Sequence, residues 1–166
     1  MLHLILNRLP RPLYILALRT AHWLRLRWWR MSGAQVAGVR VVVIDPAERV
    51  LLIRHSYGSP HWMLPGGGMK RGEDACVAGA REVREECAVE ITDAVEIGLV
   101  TSMIHGANNE VRVVAGWSGD APCADLREIT HAAFFVLDAL PENIAPKLAA
   151  LLSGYLTEAA VARQRR

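Results

Sequence analysis

The sequence contains few cysteines, and their spacing argues against both a structural zinc site and a disulfide. Its 166 residues include three cysteines, and none of them has the CxxC or Cys/His spacing of a zinc site. If residues 74–87 form a helix, Cys76 and Cys87 lie about 16 Å apart, which is too far for a disulfide. We therefore expect reduced thiols, as is typical of a cytoplasmic protein.

The sequence also lacks a strong net charge and a long hydrophobic run. The formal net charge is only +2, so the composition gives no reason to expect sequence-specific nucleic-acid binding. The longest uninterrupted apolar run, Leu13 to Leu18, has six residues, whereas about 20 are needed to cross a bilayer. With 52% hydrophobic and 22% charged residues, the chain is typical of one globular domain.

Acidic residues are absent from the first quarter of the chain. Residues 1–44 contain seven arginines, and the first carboxylate is Asp45. The pattern predicts a basic, tryptophan-containing helix over residues 13–30, within an N-terminal extension (1–38) that precedes the domain (39–166). Three interpretations stay open: a helix that packs on the domain or on a second subunit of a homodimer, a helix on an anionic membrane surface, and a cleaved presequence.

The domain itself alternates between strand and helix patterns. Two β-branched runs flank Asp45–Glu48 and predict a hairpin, followed by a loop rich in glycine and proline. Residues 74–87 predict a helix with Asp74 as its cap, and a closing helix is expected after Leu140, with Pro141 near its start. Further strands are predicted for VEIGLVTSMIH, EVRVVAGW and AAFFVLD. Mixed strands with helices on their faces make an α/β or α+β sandwich.

Three glutamates are gathered in the stretch REVREE, residues 81–86. On a helix, the offsets of three and four put Glu82, Glu85 and Glu86 on one face, where like charges cost about 0.2–0.5 kcal/mol per pair. A hard divalent cation such as Mg²⁺ or Mn²⁺ prefers carboxylate ligands and would relieve that repulsion. The alternative is a solvated helix face, balanced in part by neighbouring arginines.

The spacing upstream decides between these two interpretations. Five residues separate Gly67 from Glu73, and seven separate Glu73 from Arg81. The stretch GGMKRGEDACVAGAREVREECAV, from Gly67 to Val89, matches the pattern G-x5-E-x7-R-E-U-x-E-E-x-G-U, in which U is apolar. Ala88 is the one departure, since the pattern has glycine there. This stretch resembles the Nudix box, and the chain is similar to Nudix hydrolases.

The resemblance implies an α/β/α sandwich with a mixed sheet, to which the basic N-terminal helix would be added. It implies Mg²⁺ or Mn²⁺ as the cofactor, with Glu85 and Glu86 as the principal ligands. Glu82 would be a further ligand or the general base. A backbone carbonyl of the glycine loop, assigned to Gly67, would complete the metal shell.

The resemblance also assigns roles to the fixed positions of the pattern that flank the glutamates. Arg81 is counted among the catalytic residues with the three glutamates, and it would form an ion pair with Glu73 that ties the loop to the helix, a role more structural than chemical. Ala88 is expected to end the helix in the left-handed conformation, at a cost for alanine of about 1–2 kcal/mol.

Four residues outside the box are candidates for substrate contacts. Trp62 could stack on a nucleobase and Arg54 could meet a phosphate. Family members often place another carboxylate on a loop outside the box, and Glu110 and Glu128 are the candidates for it. Each of the four also has a structural interpretation, as packing or as solvated surface.

The resemblance implies a cytoplasmic hydrolase whose partner is a nucleotide-type small molecule. Water would cleave the diphosphate of a nucleoside diphosphate linked to another moiety. Two alternatives stay open: a nucleotide-binding regulator without turnover, and a membrane-peripheral protein in which residues 13–30 have the main role. The sequence identifies neither the nucleotide nor the phosphorus that is attacked.

Overall fold

The computed structural model describes four stretches of the chain: residues 36–56, 59–104, 107–126 and 128–165. The basic helix predicted at residues 13–30, with its proposed membrane contact, lies outside them. Within these stretches, no helix has the length and apolar character needed to cross a membrane.

A mixed five-stranded sheet forms the centre of the described structure. Its strands are β1 (Val36–Ile44), β2 (Val50–His55), β3 (Thr92–Ile104), β4 (Ala107–Trp117) and β5 (Ile129–Phe135). They lie in the order β3-β4-β1-β2-β5. β1 and β4 run parallel, and the other neighbouring strands run antiparallel. Together with one helix on each face, this is the α/β/α sandwich that the resemblance implied.

The two helices are α1 (Ala75–Cys87) and α2 (Pro146–Gln164), with a short 3-10 helix at Leu137–Ala139. The prediction that the closing helix starts near Pro141 is wrong. Residues 141–145 are held in a non-helical conformation because Trp62 donates a hydrogen bond to the Asn143 carbonyl and accepts one from the Ala145 N–H, each 2.9 Å long. The helix therefore begins at Pro146, where a missing N–H costs nothing.

The core lies on both faces of the sheet, as alternation along β1 requires. Val39, Val41 and Val43 pack under α1, whereas Val42 and Ile44 pack under α2. The four valines are fully buried, and each contributes roughly 1.5 kcal/mol or more by leaving water. β1 is therefore the strand that fixes both helices relative to each other.

A glycine loop, residues 63–68, follows β2 in the chain and lies in space between β1 and β2. The two strands pair directly only beside their hairpin turn. Beyond it, hydrogen bonds of 2.9 Å join Gly67 and Pro65 of the loop to β1, and Met63 to β2. The loop thus fills the gap between two core strands, which fixes its backbone beneath α1.

The predicted hairpin is present, and Asp45 organises its turn. One carboxylate oxygen of Asp45 accepts hydrogen bonds from the N–H groups of Ala47 (3.0 Å) and Arg49 (2.8 Å). The other accepts one from Arg49 Nε at 2.6 Å. Burial opposes the charge on Asp45, but these bonds outweigh it and lower the pKa of the carboxyl.

We expect Asp45→Asn to lower the free energy of unfolding by about 2 kcal/mol at pH 7, because an amide N–H would face the donors of Arg49. Since the folded pKa is depressed, the stabilisation by Asp45 is complete above the unfolded pKa, about 3.9, and is lost as pH falls through the folded value. Urea unfolding between pH 7 and pH 2 should show the two proteins converging. The exposed Asp93→Asn is the control, and a difference that stays constant with pH would contradict this explanation.

Ala88 follows α1 in the left-handed conformation, with φ 54° and ψ 33°. Its N–H donates a 3.0 Å hydrogen bond to the carbonyl of Arg84. The alanine therefore occupies the backbone conformation for which the pattern has glycine, as expected from the sequence.

Ala88→Gly is expected to raise the free energy of unfolding by about 1 kcal/mol, because glycine adopts a positive φ without steric cost. Ala80→Gly, in the interior of the same helix, should lower it by a similar amount, about 1 kcal/mol. Urea unfolding of both variants checks the pair. A loss of stability in both would show that the left-handed position costs alanine nothing.

Candidate active site

The helix α1 carries the acidic stretch and is started by Asp74. The Asp74 carboxylate accepts hydrogen bonds from the N–H groups of Cys76 (2.9 Å) and Val77 (3.1 Å), as expected of the cap. The buried face of α1, which includes Val83 and Cys87, packs on the sheet. This contact fixes the rotation of the helix and hence the direction of each glutamate.

Arg81 links the helix to the loop that precedes it. Its Nε and Nη2 bond both carboxylate oxygens of Glu73, at 3.1 and 3.2 Å, which is the ion pair expected from the sequence. Nη2 also donates to the Gly68 carbonyl at 3.0 Å, and Nη1 donates to Glu82 at 2.7 Å. Four of the five guanidinium donors thus hold the glycine loop, Glu73 and Glu82 in one arrangement.

Glu86 is the buried carboxyl of the site, with only 8% of its surface exposed. Its Oε2 accepts a 2.9 Å hydrogen bond from the Gly66 N–H. Burial raises the pKa of Glu86 to about 8 despite that hydrogen bond. The charges of Glu82 and Glu128 add to the increase in pKa, whereas the charge of Arg40 opposes it. A cation at this position would favour the ionised form.

Gly66 and Gly67 bring the backbone of the glycine loop against its neighbours. Gly66 has φ +141°, and a Cβ there would lie 2.2 Å from the Val39 carbonyl oxygen. At Gly67 a Cβ would lie 2.5 Å from the Glu82 carboxylate. The side-chain-free backbone of Gly67 is therefore what leaves the Glu82 carboxylate its place beside the loop.

The Gly67 carbonyl, expected as a metal ligand, already accepts one hydrogen bond within the protein. It accepts a 2.9 Å hydrogen bond from the Val39 N–H, and the Gly68 carbonyl accepts the bond from Arg81. A carbonyl oxygen has two lone pairs. Gly67 consequently retains one lone pair for a cation.

Glu85 lies differently from the other two glutamates. Its side chain is 59% exposed, and its nearest described charge is Arg81 Nη1 at 3.6 Å. Adjacent helical residues are about 100° apart, so Glu85 and Glu86 cannot both point at the sheet. Accordingly, no three Asp, Glu, His or Cys side chains within the described stretches stand close enough together to form a ready-made metal site.

The donor set of α1 nevertheless fits a hard divalent cation. It offers carboxylate oxygens, which Mg²⁺ and Mn²⁺ prefer. The fit is also seen at Gly67, where the absence of a side chain leaves room for the Glu82 carboxylate, and at Glu86, whose pKa is raised by burial. Glu82, Glu86 and, from the solvent side, Glu85 are the residues that would hold the ion.

Trp62 and Arg54 lie together beside β5. The Trp62 ring makes edge contacts with Phe135 and His131, at centroid distances of 5.0 and 6.0 Å. The Arg54 guanidinium lies 5.8 Å from the Trp62 centroid and 3.1 Å from His131 Nδ1. Trp62 therefore packs beside β5 and keeps a partly exposed ring, while Arg54 is held against it.

Of the two carboxylates proposed outside the box, the structure brings only Glu128 towards α1. Glu128 precedes β5 and lies within electrostatic range of Glu86. Its N–H is fixed by Asp125, at 3.0 Å, so the approach to β5 is an ordered turn. Glu110 lies on β4 opposite Thr101 and is not among the described charges that act on Glu86.

Sequence reasoning missed Arg40 at this site. Arg40 lies on β1 within electrostatic range of Glu86 and Glu82. Burial lowers the pKa of His55, at the end of β2, and the charge of Arg40 acts in the same direction. A single charged residue in the run VRVVVI was the available signal, because a central strand seldom carries one.

A surface cavity of about 1080 Å³ lies at the other end of β1. Among the residues that line it are Ile44, Trp117, Leu156 and Arg163. None of the α1 glutamates contributes to its wall. The chemistry of the box and this cavity are therefore separate features.

Comparison with known proteins identifies the family. The family model described as the NUDIX domain matches residues 34–154, most of the chain. The chain belongs to the Nudix family. It is thus a Nudix hydrolase, and members of this family generally use a divalent metal ion.

Solved Nudix structures share the fold at low sequence identity. The MutT NUDIX hydrolase from Burkholderia pseudomallei is 21% identical with a TM-score of 0.63, and the match covers 72% of this chain and 97% of that one. The ORF135 protein of E. coli is 20% identical with a TM-score of 0.62, covering 78% and 94%. The MutT protein of Methanosarcina mazei Go1 is 20% identical with a TM-score of 0.61, covering 75% and 95%. Similarity to these structures at 20–21% identity shows that the fold is shared.

Proposed function

We propose that this Nudix hydrolase cleaves the diphosphate of a nucleoside diphosphate linked to another moiety, with Mg²⁺ or Mn²⁺ held by Glu82, Glu85 and Glu86. The observation that carries the proposal is Glu86, a carboxyl buried against the Gly66 N–H with a pKa of about 8. A buried, like-charged carboxyl has no evident structural benefit, but it suits a cation that arrives with a polyanionic substrate.

In the proposed reaction, the oxygen of a water molecule forms a bond to one phosphorus, and the bridging P–O bond breaks. The departing phosphate keeps the electron pair, and a proton of the water passes to a base. The metal ion, when bound, would lower the pKa of water and offset phosphate charge. The chain's own contribution is to fix the acceptors, since Arg81 holds Glu82 and the Gly66 N–H holds Glu86.

For the base, two carboxylates are candidates. Glu82 is held in place by a 2.7 Å bond from Arg81 Nη1. Glu128 approaches Glu86 from outside the helix, so we favour it over Glu110 as the additional carboxylate. Replacement of each by glutamine, with pH–rate profiles, would show which one causes the loss of rate at low pH, where a general base becomes protonated.

The remaining predictions are carried by the sequence. The partner is expected to be a nucleotide-type small molecule, with Trp62 and Arg54 as its further contacts, and the location cytoplasmic. A division at residue 38, a homodimer and a membrane contact through residues 13–30 stay predictions. Co-sedimentation with anionic vesicles, comparing the full chain with a chain that starts at Gly33, tests the last of these.

The proposed function is tested by phosphate release, coupled to a phosphatase where the product requires it. The panel contains nucleoside triphosphates, ADP-ribose, sugar nucleotides, dinucleoside polyphosphates and oxidised nucleotides. Each is assayed in Mg²⁺, in Mn²⁺ and with a chelator. We expect metal-dependent turnover of one class. Turnover that persists in the chelator would refute the metal-dependent mechanism, and silence across the panel would favour the regulator instead.

A further inference from the structure

Arg40 is a charged residue in the middle of β1, a central strand of the sheet. Its chain neighbours Val39 and Val41 are fully buried under α1. By the alternation of a strand, the Arg40 side chain leaves β1 on the opposite side. Gly66, whose N–H donates to Glu86, packs closely on the backbone of Arg40, since a Cβ at Gly66 would lie 3.0 Å from the Arg40 Cα. The Arg40 side chain therefore leaves β1 next to the glycine loop.

Arg40 has no counter-ion in the described part of the chain. No Asp or Glu of residues 36–56, 59–104, 107–126 and 128–165 forms an ion pair with its guanidinium. Burial lowers its pKa, and the more distant charges of Glu86 and Glu82 only partly oppose that effect. Arg40 is half-buried, and partial desolvation of an arginine without a direct partner is destabilising, so its presence requires an explanation.

The other arginine of the site shows the contrast. Arg81 bonds Glu73, Glu82 and the Gly68 carbonyl, which uses its donors within the protein. Arg40 retains its donors. The site thus contains one arginine that organises the carboxylates and a second whose planar, five-donor group is uncommitted.

We propose that Arg40 binds non-bridging oxygens of the substrate's diphosphate and so makes the site selective for a diphosphate over a single phosphate. This inference rests on the proposed function, because it assigns a substrate contact to the same site. A guanidinium matches phosphate oxygens with two parallel hydrogen bonds, and partial burial strengthens the attraction. One phosphoryl group would lie at the α1 carboxylates with their cation, and the second would pair with Arg40.

The competing explanation is structural: Arg40 would serve only to offset the charges of Glu86 and Glu82. The two explanations differ in the ligand-free protein. If Arg40 awaits an anion, Arg40→Met removes a desolvated charge and the melting temperature rises by about 2–4 °C. If Arg40 serves the carboxylates, the same substitution leaves them unbalanced and the melting temperature falls.

The test is titration calorimetry of the full chain with imidodiphosphate in Mg²⁺, with inorganic phosphate as the single-phosphate probe. Imidodiphosphate has a P–N–P link in place of P–O–P, so turnover does not obscure binding. We expect Arg40→Met to weaken imidodiphosphate binding at least 10-fold. The affinity of the same variant for phosphate should stay within about 3-fold of that of the parent. Arg40→Lys should be intermediate, because a lysine keeps the charge without the fork. The control is Arg112→Met, a surface arginine paired with Glu96 at 2.8 Å.

Unchanged imidodiphosphate affinity in Arg40→Met would overturn the inference. So would a loss of affinity accompanied by a lower melting temperature that Arg40→Lys does not restore. The calorimetry and the substrate panel can fail separately. If no nucleotide is hydrolysed but imidodiphosphate binding still depends on Arg40, the proposed function fails while this inference holds. If a substrate is found and neither binding nor KM depends on Arg40, the reverse is true.

Discussion

Glu86→Gln is expected to lower kcat/KM by about 10³-fold and, at the same time, to make the metal-free protein harder to unfold. Glutamine keeps the shape of the side chain and can still accept the 2.9 Å hydrogen bond from the Gly66 N–H. It loses only the charge, which is the property that would hold a cation. Loss of such a ligand is worth several kcal/mol of transition-state stabilisation, or roughly three powers of ten in rate.

The gain in stability follows from the sign of the pKa shift. The pKa of Glu86 is raised to about 8 in the folded protein, whereas an unfolded glutamate has a pKa of about 4.3. Between these values the folded state binds the extra proton, so the free energy of unfolding of the parent falls as pH rises towards 8. The glutamine variant lacks this loss and should be more stable by about 1–3 kcal/mol at pH 8.

Kinetics on the substrate found by the panel, and urea unfolding with a chelator at pH 5 and pH 8, check both parts. Glu158→Gln, an exposed glutamate on α2, is the matched control and should behave as the parent in both assays. An active Glu86→Gln protein would exclude this residue from the catalytic site. A variant less stable than the parent at pH 8 would show that the Glu86 charge is well accommodated without a cation.

Gly67→Ala is expected to lower kcat/KM by about 10²-fold with little effect on folding, whereas the neighbouring Gly68→Ala is expected to be nearly silent. An alanine Cβ at position 67 would lie 2.5 Å from the Glu82 carboxylate, so that carboxylate must move. Arg81 restrains it through a 2.7 Å bond and is itself held by Glu73. A displacement of about 1 Å in a catalytic group can cost about 10²-fold in rate.

Gly68 provides the comparison because a Cβ there meets nothing within 4 Å. Both variants should unfold within about 1 kcal/mol of the parent, since the atoms that clash at position 67 belong to the end of a side chain rather than to the backbone. Steady-state kinetics and urea unfolding of the two variants provide the measurement. Equal activities would mean that the close approach of Gly67 to Glu82 has no catalytic importance.

The features that local chemistry determines were predictable from the sequence. The composition of residues 74–87 predicted the α1 helix and its Asp74 cap, and the resemblance implied the Arg81–Glu73 ion pair and the left-handed Ala88. The hairpin at Asp45 followed from its turn residues. These features depend on residues close together in the chain, so the sequence pattern contains the information.

The features that depend on distant contacts were not predictable in the same way. The start of α2 is set by hydrogen bonds between Trp62 and residues 143 and 145, more than 80 positions away in the chain. Periodicity placed Glu85 and Glu86 on one face, but the packing of α1 buries Glu86 and exposes Glu85. Arg40 joined the site only once the glycine loop was placed between β1 and β2, because nothing in its local sequence connects it to the box.

The most direct test of the central claim, that the α1 carboxylates bind a divalent cation, is Mn²⁺ binding to the substrate-free protein. The electron paramagnetic resonance signal of free Mn²⁺ reports how much remains unbound at pH 8. The parent and Glu158→Gln should bind Mn²⁺ with the same affinity, and Glu86→Gln should bind it at least about 10-fold more weakly. Equal Mn²⁺ affinity in the parent and in Glu86→Gln would contradict the account.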